Sequence, residues 1–426
     1  MSDSSASRLS APPTATVPAT AARPGYIVML LITWFCFYAA LLGPAIVGVG
    51  VKVLTIVPES EKASALAWIS GFGALAAAIA NPVFGRISDR TTSRWGRRRP
   101  WIVAGMSGLV VGFICFALAP NVPTAVVAWA FCQFCANAAL SPLTASVADQ
   151  VPSFQRGQVT ASLGIALNLG IMASTWVAKI FVDQLIILFV APSLIALGVI
   201  IAYAFVLPDR VLPERPPREG FKAVLKTFWV NPRTYPDYAF AWWSKFMIVL
   251  ATNLFTTFRL FFIKDKIGLS VEEAAGTVAL GVLIYTLVLM PSAWIAGKLS
   301  DKVGRRKPFV ITSGIIFGIG TALLMTAHTV EIFYVVEAIL GLAYGVYVGV
   351  DLALVMDVLP DPENPGKDLG VFNIANAVPQ SAGPLVGALL LSVGSAVSQN
   401  YTLLLIVAGI MGVIGGLVLI PIKKVR

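Results

Sequence analysis

The chain has 426 residues and a formal net charge of +10, with 57% hydrophobic and 12% charged residues. The charged fraction is about half of that in soluble domains, and the mean hydropathy is +0.83, so the composition excludes an ordinary soluble protein. The excess of positive charge does not indicate nucleic-acid binding, because the basic residues are concentrated in alternate loops between apolar segments. We therefore expect a membrane protein with no nucleic-acid partner.

Apolar stretches of about 20 residues recur along the chain, and a helix of that length crosses the hydrocarbon core of a bilayer. Lipid offers no hydrogen-bond partner to the backbone, so these stretches are expected to be helical. The sequence thus predicts an all-α membrane protein with twelve transmembrane helices. The stretches lie near 26–50, 63–84, 100–119, 123–147, 158–181, 185–207, 238–262, 273–296, 308–327, 330–357, 368–393 and 400–421.

The basic residues predict the orientation of these helices. If both termini are cytoplasmic, most of the 31 Lys and Arg residues fall in the cytoplasmic loops and tails, as the positive-inside rule requires. We expect a multi-pass protein of the cell (inner) membrane, with residues 1–24 as a disordered cytoplasmic tail. Lys245 and Arg259 lie inside predicted helices and are expected to extend toward the nearer interface.

A basic loop occurs twice. GRISDRTTSRWGRRRP at 85–100 is repeated in shorter form as GKLSDKVGRRKP at 297–308. The offset between matching residues is 212 at the aspartates and 208 at the following glycines, because the first copy is four residues longer. D-Q-V-P at 149–152 and D-V-L-P at 357–360 keep the offset of 208. The repeat therefore extends beyond the loops and divides the chain into two halves.

Two halves in parallel order predict two pseudo-symmetric six-helix bundles, 25–207 and 238–421, with a substrate site between them near the bilayer midplane. The stretch 208–237 is then a cytoplasmic linker, and the spacing of apolar residues in 219–232 predicts an amphipathic surface helix within it. Residues 422–426 form a short cytoplasmic tail.

The repeated loops have the pattern G-x-x-x-D-[RK]…G-R-R-[RK], which resembles the signature loop of the major facilitator superfamily. The longer form SDRTTSRWGRRRPWIVAG at 88–105 is similar to the loop of the glycoside–pentoside–hexuronide cation symporters and the plant-type sucrose carriers. The resemblance implies a secondary transporter without a cofactor, and a loop that latches one conformation; topological anchoring alone is the alternative. The implied latch residues are Gly85, Asp89, Arg90, Gly96, Arg97, Gly297, Asp301, Lys302, Gly304 and Arg305.

Polar residues inside membrane spans are costly and mark functional sites. Gln133, Asn137 and Ser141 recur every four residues on the fourth helix and lead toward Asp149. The resemblance to the symporters places a proton-coupling carboxylate at Asp149. The alternative is that Asp149 only caps a turn, because Asp357 repeats it in the second half.

The tenth helix carries a second candidate carboxylate, for proton coupling or for binding substrate hydroxyls. Asp351 shares one face with Glu337, Tyr344 and Tyr347, and has no basic neighbour in the sequence. Amides and carboxylates suit sugar hydroxyls, and aromatic rings suit the apolar face of a sugar, although the same side chains also join helices. The expected substrate-binding residues are Tyr38, Gln133, Asn137, Asn168, Asn253, Tyr347, Asn373, Asn376 and Gln380.

We expect a proton-coupled symporter of a sugar, glycoside or similar hydroxylated solute, acting as a monomer in the lipid bilayer. Sodium-coupled relatives resemble one another in having an acidic residue on the second helix. Residues 63–84 contain none here, and Asn81 lies where one is expected, so protons are favoured over sodium. A proton-coupled exporter of drugs or metabolites, an antiporter, is the alternative. An enzyme is not expected, because the single histidine, His328, has no partner motif, and no metal site is expected.

Overall fold

A computed structural model of the chain describes residues 21–212, 230–360, 365–394 and 399–422. The regular structure within these ranges is helical. Most of the expected N-terminal tail, the amphipathic stretch up to residue 229 and the final residues 423–426 lie outside the described residues.

The described helices follow the apolar stretches in number and order. Eleven of them are long and apolar enough to cross a membrane, and the twelfth has 17 residues. They are α1 Pro24–Ile56, α2 Lys62–Asp89, α3 Arg99–Ala117, α4 Val122–Gln150, α5 Ser153–Ile180, α6 Leu185–Val206, α7 Pro236–Ile267, α8 Val271–Val303, α9 Lys307–Met325, α10 Val330–Val358, α11 Pro365–Ser392 and α12 Tyr401–Leu417.

Local signals explain where several helices begin. Asn121 and Ser270 each form a capping box with the residue three positions later, which satisfies free amide groups at the start of α4 and α8. Proline occupies the first turn of α1, α3, α4, α7 and α9, where its missing N–H costs no hydrogen bond. Helix α1 contains a π-helical turn at Pro44–Gly48 and then continues as an α-helix to Ile56.

Helices α1–α6 and α7–α12 form two six-helix bundles, as the repeat predicts. Glycines allow close contact between helices in both. A Cβ atom on Gly105 of α3 would lie 2.5 Å from the backbone nitrogen of Ala139 on α4. A Cβ atom on Gly314 of α9 would lie 2.5 Å from the carbonyl oxygen of Gly412 on α12. Close backbone approach of this kind is how small residues stabilise helix packing in membranes.

The two ends of the helical bundles carry different loops. The basic face is the end that carries the loops 90–98 and 304–306, which the sequence predicts to be cytoplasmic. The opposite face carries the connections 57–61 and 268–270. A Cβ atom on Gly276 in the first turns of α8 would lie 3.2 Å from the Lys179 side chain near the end of α5, so the bundles come together close to the opposite face.

Candidate functional site

An ion pair lies inside the membrane-spanning part of the second bundle. Lys245 of α7 donates to Asp351 of α10, with 2.7 Å between Nζ and Oδ2, and the Tyr347 hydroxyl donates to Oδ1 at 2.8 Å. The Lys245 ammonium also lies 4.7 Å from the ring centroid of Phe372 on α11. We call Lys245 and Asp351 the inner ion pair. Lys245 does not extend to the interface as expected, because the Asp351 carboxylate on α10 binds its ammonium within the bundle.

The depth and accessibility of the inner ion pair suit a reversible site. At a rise of about 1.5 Å per residue, Lys245 lies roughly 14 Å from the start of α7, and Asp351 roughly 10 Å from the end of α10. Both ends lie at the basic face, so the pair lies about a quarter to a third of the way along these helices of 32 and 29 residues. The two side chains keep 19% and 17% exposure. Packing therefore leaves both side chains of the pair partly uncovered.

Aromatic side chains continue along the same part of the bundle. The ring of Tyr344 lies 5.9 Å from that of Tyr347 and 6.4 Å from that of Tyr285 on α8. The Trp242 indole donates to the backbone carbonyl of Val371 on α11. These rings form an amphipathic wall next to the inner ion pair, able to cover an apolar surface while offering hydroxyl groups.

Asp149 lies in a different setting, at the basic face. It accepts from Arg97 at 2.7 Å and from Arg98 at 3.0 Å, and Arg98 also pairs with Asp89 at 2.6 Å. The Arg98 guanidinium further donates to the Ser88 hydroxyl at 2.6 Å. Asp149 thus joins the end of α4 to the loop after α2 through two arginines.

The second bundle repeats this cluster. Arg306 pairs with Asp357 at 2.6 Å and with Asp301 at 2.9 Å, and donates to the Ser300 hydroxyl at 3.4 Å. Each partner matches its first-bundle equivalent at the offset of 212 or 208. Asp149 and Asp357 therefore hold equivalent positions in the two bundles, and the alternative that Asp149 only caps a turn stays a prediction.

The glycines of the two loops adopt backbone conformations that disfavour other residues. Gly96 and Gly304 have φ angles of +99° and +66°. A Cβ atom on Gly96 would also lie 2.3 Å from the carboxylate of Asp209, which accepts from the amide nitrogens of Arg98 and Arg99 at 2.7 and 2.9 Å. Asp209 thereby caps the first turn of α3 from the end of α6.

Gly85 and Gly297 permit contact between α2 and α4 and between α8 and α10. A Cβ atom would lie 3.1 Å from the Ser141 hydroxyl in the first case and 3.1 Å from the Gly349 carbonyl in the second. Lys302 is exposed. The structure adds Arg98, Arg306, Asp209 and the serines Ser88 and Ser300 to the residues around the loops. The offset of 208 between the two arginines is the sequence signal that indicates them.

The amides expected to bind substrate differ in their hydrogen-bond partners. Asn137 accepts from Asn81 of α2 at 3.1 Å and donates to the carbonyl of Gln133 at 2.9 Å. Asn168 and Asn253 each donate to a carbonyl of their own helix at 2.9 Å.

The other expected residues lie on α1 and α11. Tyr38 packs on Trp34 and Phe37 of its own helix, with ring centroids 5.8 and 5.4 Å apart. Asn373 and Gln380 are exposed and Asn376 is half-buried.

A second charged network joins the two bundles at the opposite face. Lys62 of α2 pairs with Glu59 and with Asp265 of α7, both at 2.5 Å, and Lys264 also pairs with Glu59. The Tyr401 hydroxyl donates to Asp265 at 2.6 Å. Hydrogen bonds from Lys264 and then Lys62 lower the pKa of Glu59. We call these five residues the outer clasp; the Lys62 side chain is only 4% exposed.

The sequence matches the family model of the Major Facilitator Superfamily over residues 33–298 and 275–426. The chain belongs to the Major Facilitator Superfamily. This assignment places it among transporters and not among enzymes.

Three curated relatives match shorter segments of this superfamily member. The uncharacterized MFS-type transporter YfiU and the multidrug resistance protein 3, both of Bacillus subtilis (strain 168), are each 34% identical, over 111 and 106 residues, or 26% and 25% of the chain. These alignments span about a fifth of each relative, 21% and 20%. The uncharacterized symporter sll1374 of Synechocystis sp. (strain ATCC 27184 / PCC 6803 / Kazusa) is 62% identical over 29 residues, 7% of the chain and 5% of that protein.

Solved structures share the fold. The nucleoside transporter NupG superposes with a TM-score of 0.73 at 13% identity, covering 93% of this chain and 99% of that one. A D-xylose–proton symporter superposes with a TM-score of 0.69 at 15% identity, covering 93% and 97%. At these identities the likeness shows the fold alone.

Proposed function

We propose that the protein is a proton-coupled symporter of a small hydroxylated solute, such as a sugar or glycoside, and that the inner ion pair is its coupling site. The observation that carries the proposal is the partly accessible contact between Lys245 and Asp351 inside the membrane span. Intramembrane ionisable residues of this kind mark proton and substrate pathways. The aromatic wall beside the pair supports a solute with both hydroxyl groups and an apolar face.

The chemistry follows from competition for one carboxylate. A proton on Asp351 removes the charge that holds Lys245, which leaves the ammonium and the Tyr347 hydroxyl free to bind solute oxygens. When the proton leaves to the cytoplasm, the ion pair forms again and the solute loses those partners. One proton moving through about 100 mV releases about 2.3 kcal/mol, enough for roughly fifty-fold accumulation of a neutral solute.

Alternating access requires that the two ends open in turn. In the present conformation the outer clasp joins the bundles at the opposite face. We propose that rocking of the bundles breaks the clasp, and that the signature loops with their arginine clusters bias the closure of the basic face. In this scheme Asp149 is part of the latch, and its role in proton coupling is the alternative.

An exporter remains the second candidate, because a segment of 106 residues is 34% identical to multidrug resistance protein 3. The same ion pair serves an antiporter if solute and proton displace each other. The aromatic wall accepts an apolar solute as readily as a glycoside, so the direction of proton flow decides between the two functions.

The test is solute-evoked proton movement in proteoliposomes, with a panel of disaccharides, glycosides and lipophilic cations. We expect a sugar to cause external alkalinisation, which Asp351→Asn abolishes and which Asp149→Asn only slows. Asp357→Asn is the matched control for Asp149→Asn, because it removes the equivalent carboxylate in the other bundle. Loss of coupling in Asp149→Asn but not in Asp351→Asn would move the coupling site to α4. Proton efflux driven by lipophilic cations, with no response to sugars, would establish the exporter.

A further inference from the structure

Helices α7 and α10 carry a second ion pair beyond the coupling site. Arg259 donates to Glu337 with 3.0 Å between Nη1 and Oε1. Fourteen residues separate the two cations on α7, and fourteen separate the two carboxylates on α10. Each pair has its cation on α7 and its acid on α10, and the two pairs lie about 21 Å apart along the helices. Arg259 does not extend to the interface as the sequence suggested, because it meets a carboxylate on the neighbouring helix.

The two pairs differ in access. The side chains of Arg259 and Glu337 are 9% and 1% exposed, whereas the inner ion pair is about a fifth exposed. The guanidinium lies over the Phe255 ring at 5.8 Å, and a Cβ atom on Gly281 of α8 would already touch Glu337 at 3.2 Å. The pair nearer the opposite face is thus dry in the conformation that the outer clasp holds.

The contact between Arg259 and Glu337 is also incomplete. The Nε atom of Arg259 is buried and has no hydrogen-bond partner. A guanidinium can form two parallel bonds to a carboxylate, and a buried donor without a partner costs free energy. Buried ion pairs contribute little net stability compared with apolar side chains, so packing alone does not account for this one.

The titratable groups around Glu337 are few. Arg259 faces it from α7, Tyr285 from α8, and Tyr344 lies two turns further along α10. Helix α9 meets this part of α10 with Gly320. Arg259 is the cation that faces Glu337, so access of water to this pair decides whether a proton can reach the carboxylate.

We propose that Glu337 is a second proton-binding site, which loads from the outer solution when the outer clasp opens and passes its charge state to Asp351 through the shared helix pair. This inference rests on the proposed function and extends it to a site at each end of the α7–α10 interface. The proton binds to a carboxylate oxygen of Glu337, Arg259 keeps its charge, and no covalent bond other than O–H changes. Opening also gives the unpartnered Nε a water molecule as acceptor.

The test is infrared difference spectroscopy of the purified full chain in lipid nanodiscs, which needs no transported solute. Acidification in D₂O gives a carboxyl C=O band for each acid that protonates. In the Asp265→Asn background, which removes one ion pair of the clasp between the bundles, we expect a band that disappears when Glu337→Gln is added. In wild type the same band should exchange with D₂O at least tenfold more slowly. The matched control is Glu272→Gln, an exposed acid at the same face, which should leave the band unchanged.

A second variant guards against misfolding. Arg259→Leu with Glu337→Leu replaces both charges, which buried pairs often tolerate, and should remove the band while leaving the Asp351 band in place. A spectrum that Glu337→Gln leaves unchanged, or equal exchange rates in wild type and Asp265→Asn, overturns the second site. Loss of the Glu337 band together with an Asp351 band that never titrates would instead refute the proposed coupling site.

Discussion

Asp265→Asn is expected to shift the protein toward a form open at the opposite face. The substitution keeps the size of the side chain and removes the charge that binds Lys62 and the Tyr401 hydroxyl. A hydrogen bond to a charged group contributes about 2 kcal/mol to stability. Lys62 keeps Glu59 as a partner, so the loss of one such bond is the relevant magnitude. At about 1.4 kcal/mol per tenfold, the closed form should lose a factor of about 30 relative to the open form.

The assay is the distance between spin labels at Glu61 and Glu272, exposed residues on different bundles at the opposite face, measured by double electron–electron resonance in nanodiscs. We expect a longer distance to become populated in Asp265→Asn. Asp301→Asn is the control, because Asp301 pairs with Arg306 inside one bundle at the other end. An unchanged distance distribution in Asp265→Asn, with the folded state intact, would show that the clasp does not hold the bundles together.

Two further predictions concern pH and backbone conformation. The pKa of Glu59 is lowered in the folded protein, so its contribution to the clasp is complete above the unfolded value of about 4.3 and is lost as the pH falls through the lower folded pKa. The same spin labels should therefore report a constant distance from about pH 8 to 5 and a longer distance only below about 4.3. A longer distance near pH 6 would contradict this assignment. Gly96→Ala should lower the melting temperature more than Gly304→Ala. Both glycines have a positive φ, which costs an alanine about 1–2 kcal/mol at each position, but only the new methyl group at residue 96 would also meet a side chain, that of Asp209. Equal shifts in scanning fluorimetry would show that the contact with Asp209 does not matter.

The sequence determined the helices and the repeat. Length and apolarity predict a transmembrane helix without reference to other parts of the chain, so the twelve elements and their order agree with the structure. The offsets of 212 and 208 matched residues of two bundles because duplicated halves keep their register. Arg98 and Arg306 share the offset of 208, and so do the neighbouring Arg97 and Arg305 that the family pattern indicates.

Only the tertiary structure decided which charges meet. Lys245 and Asp351 are 106 positions apart, and Lys62 and Asp265 are 203 apart, so no local spacing indicates either pair. Helical periodicity assigns a residue to a face of its own helix, but the partner depends on how helices pack and on which end of the bundles is closed. That is why the sequence located Asp351 and Glu337 on one face of α10, while their cations on α7, and the difference in access between the two pairs, came from the packing of the bundle.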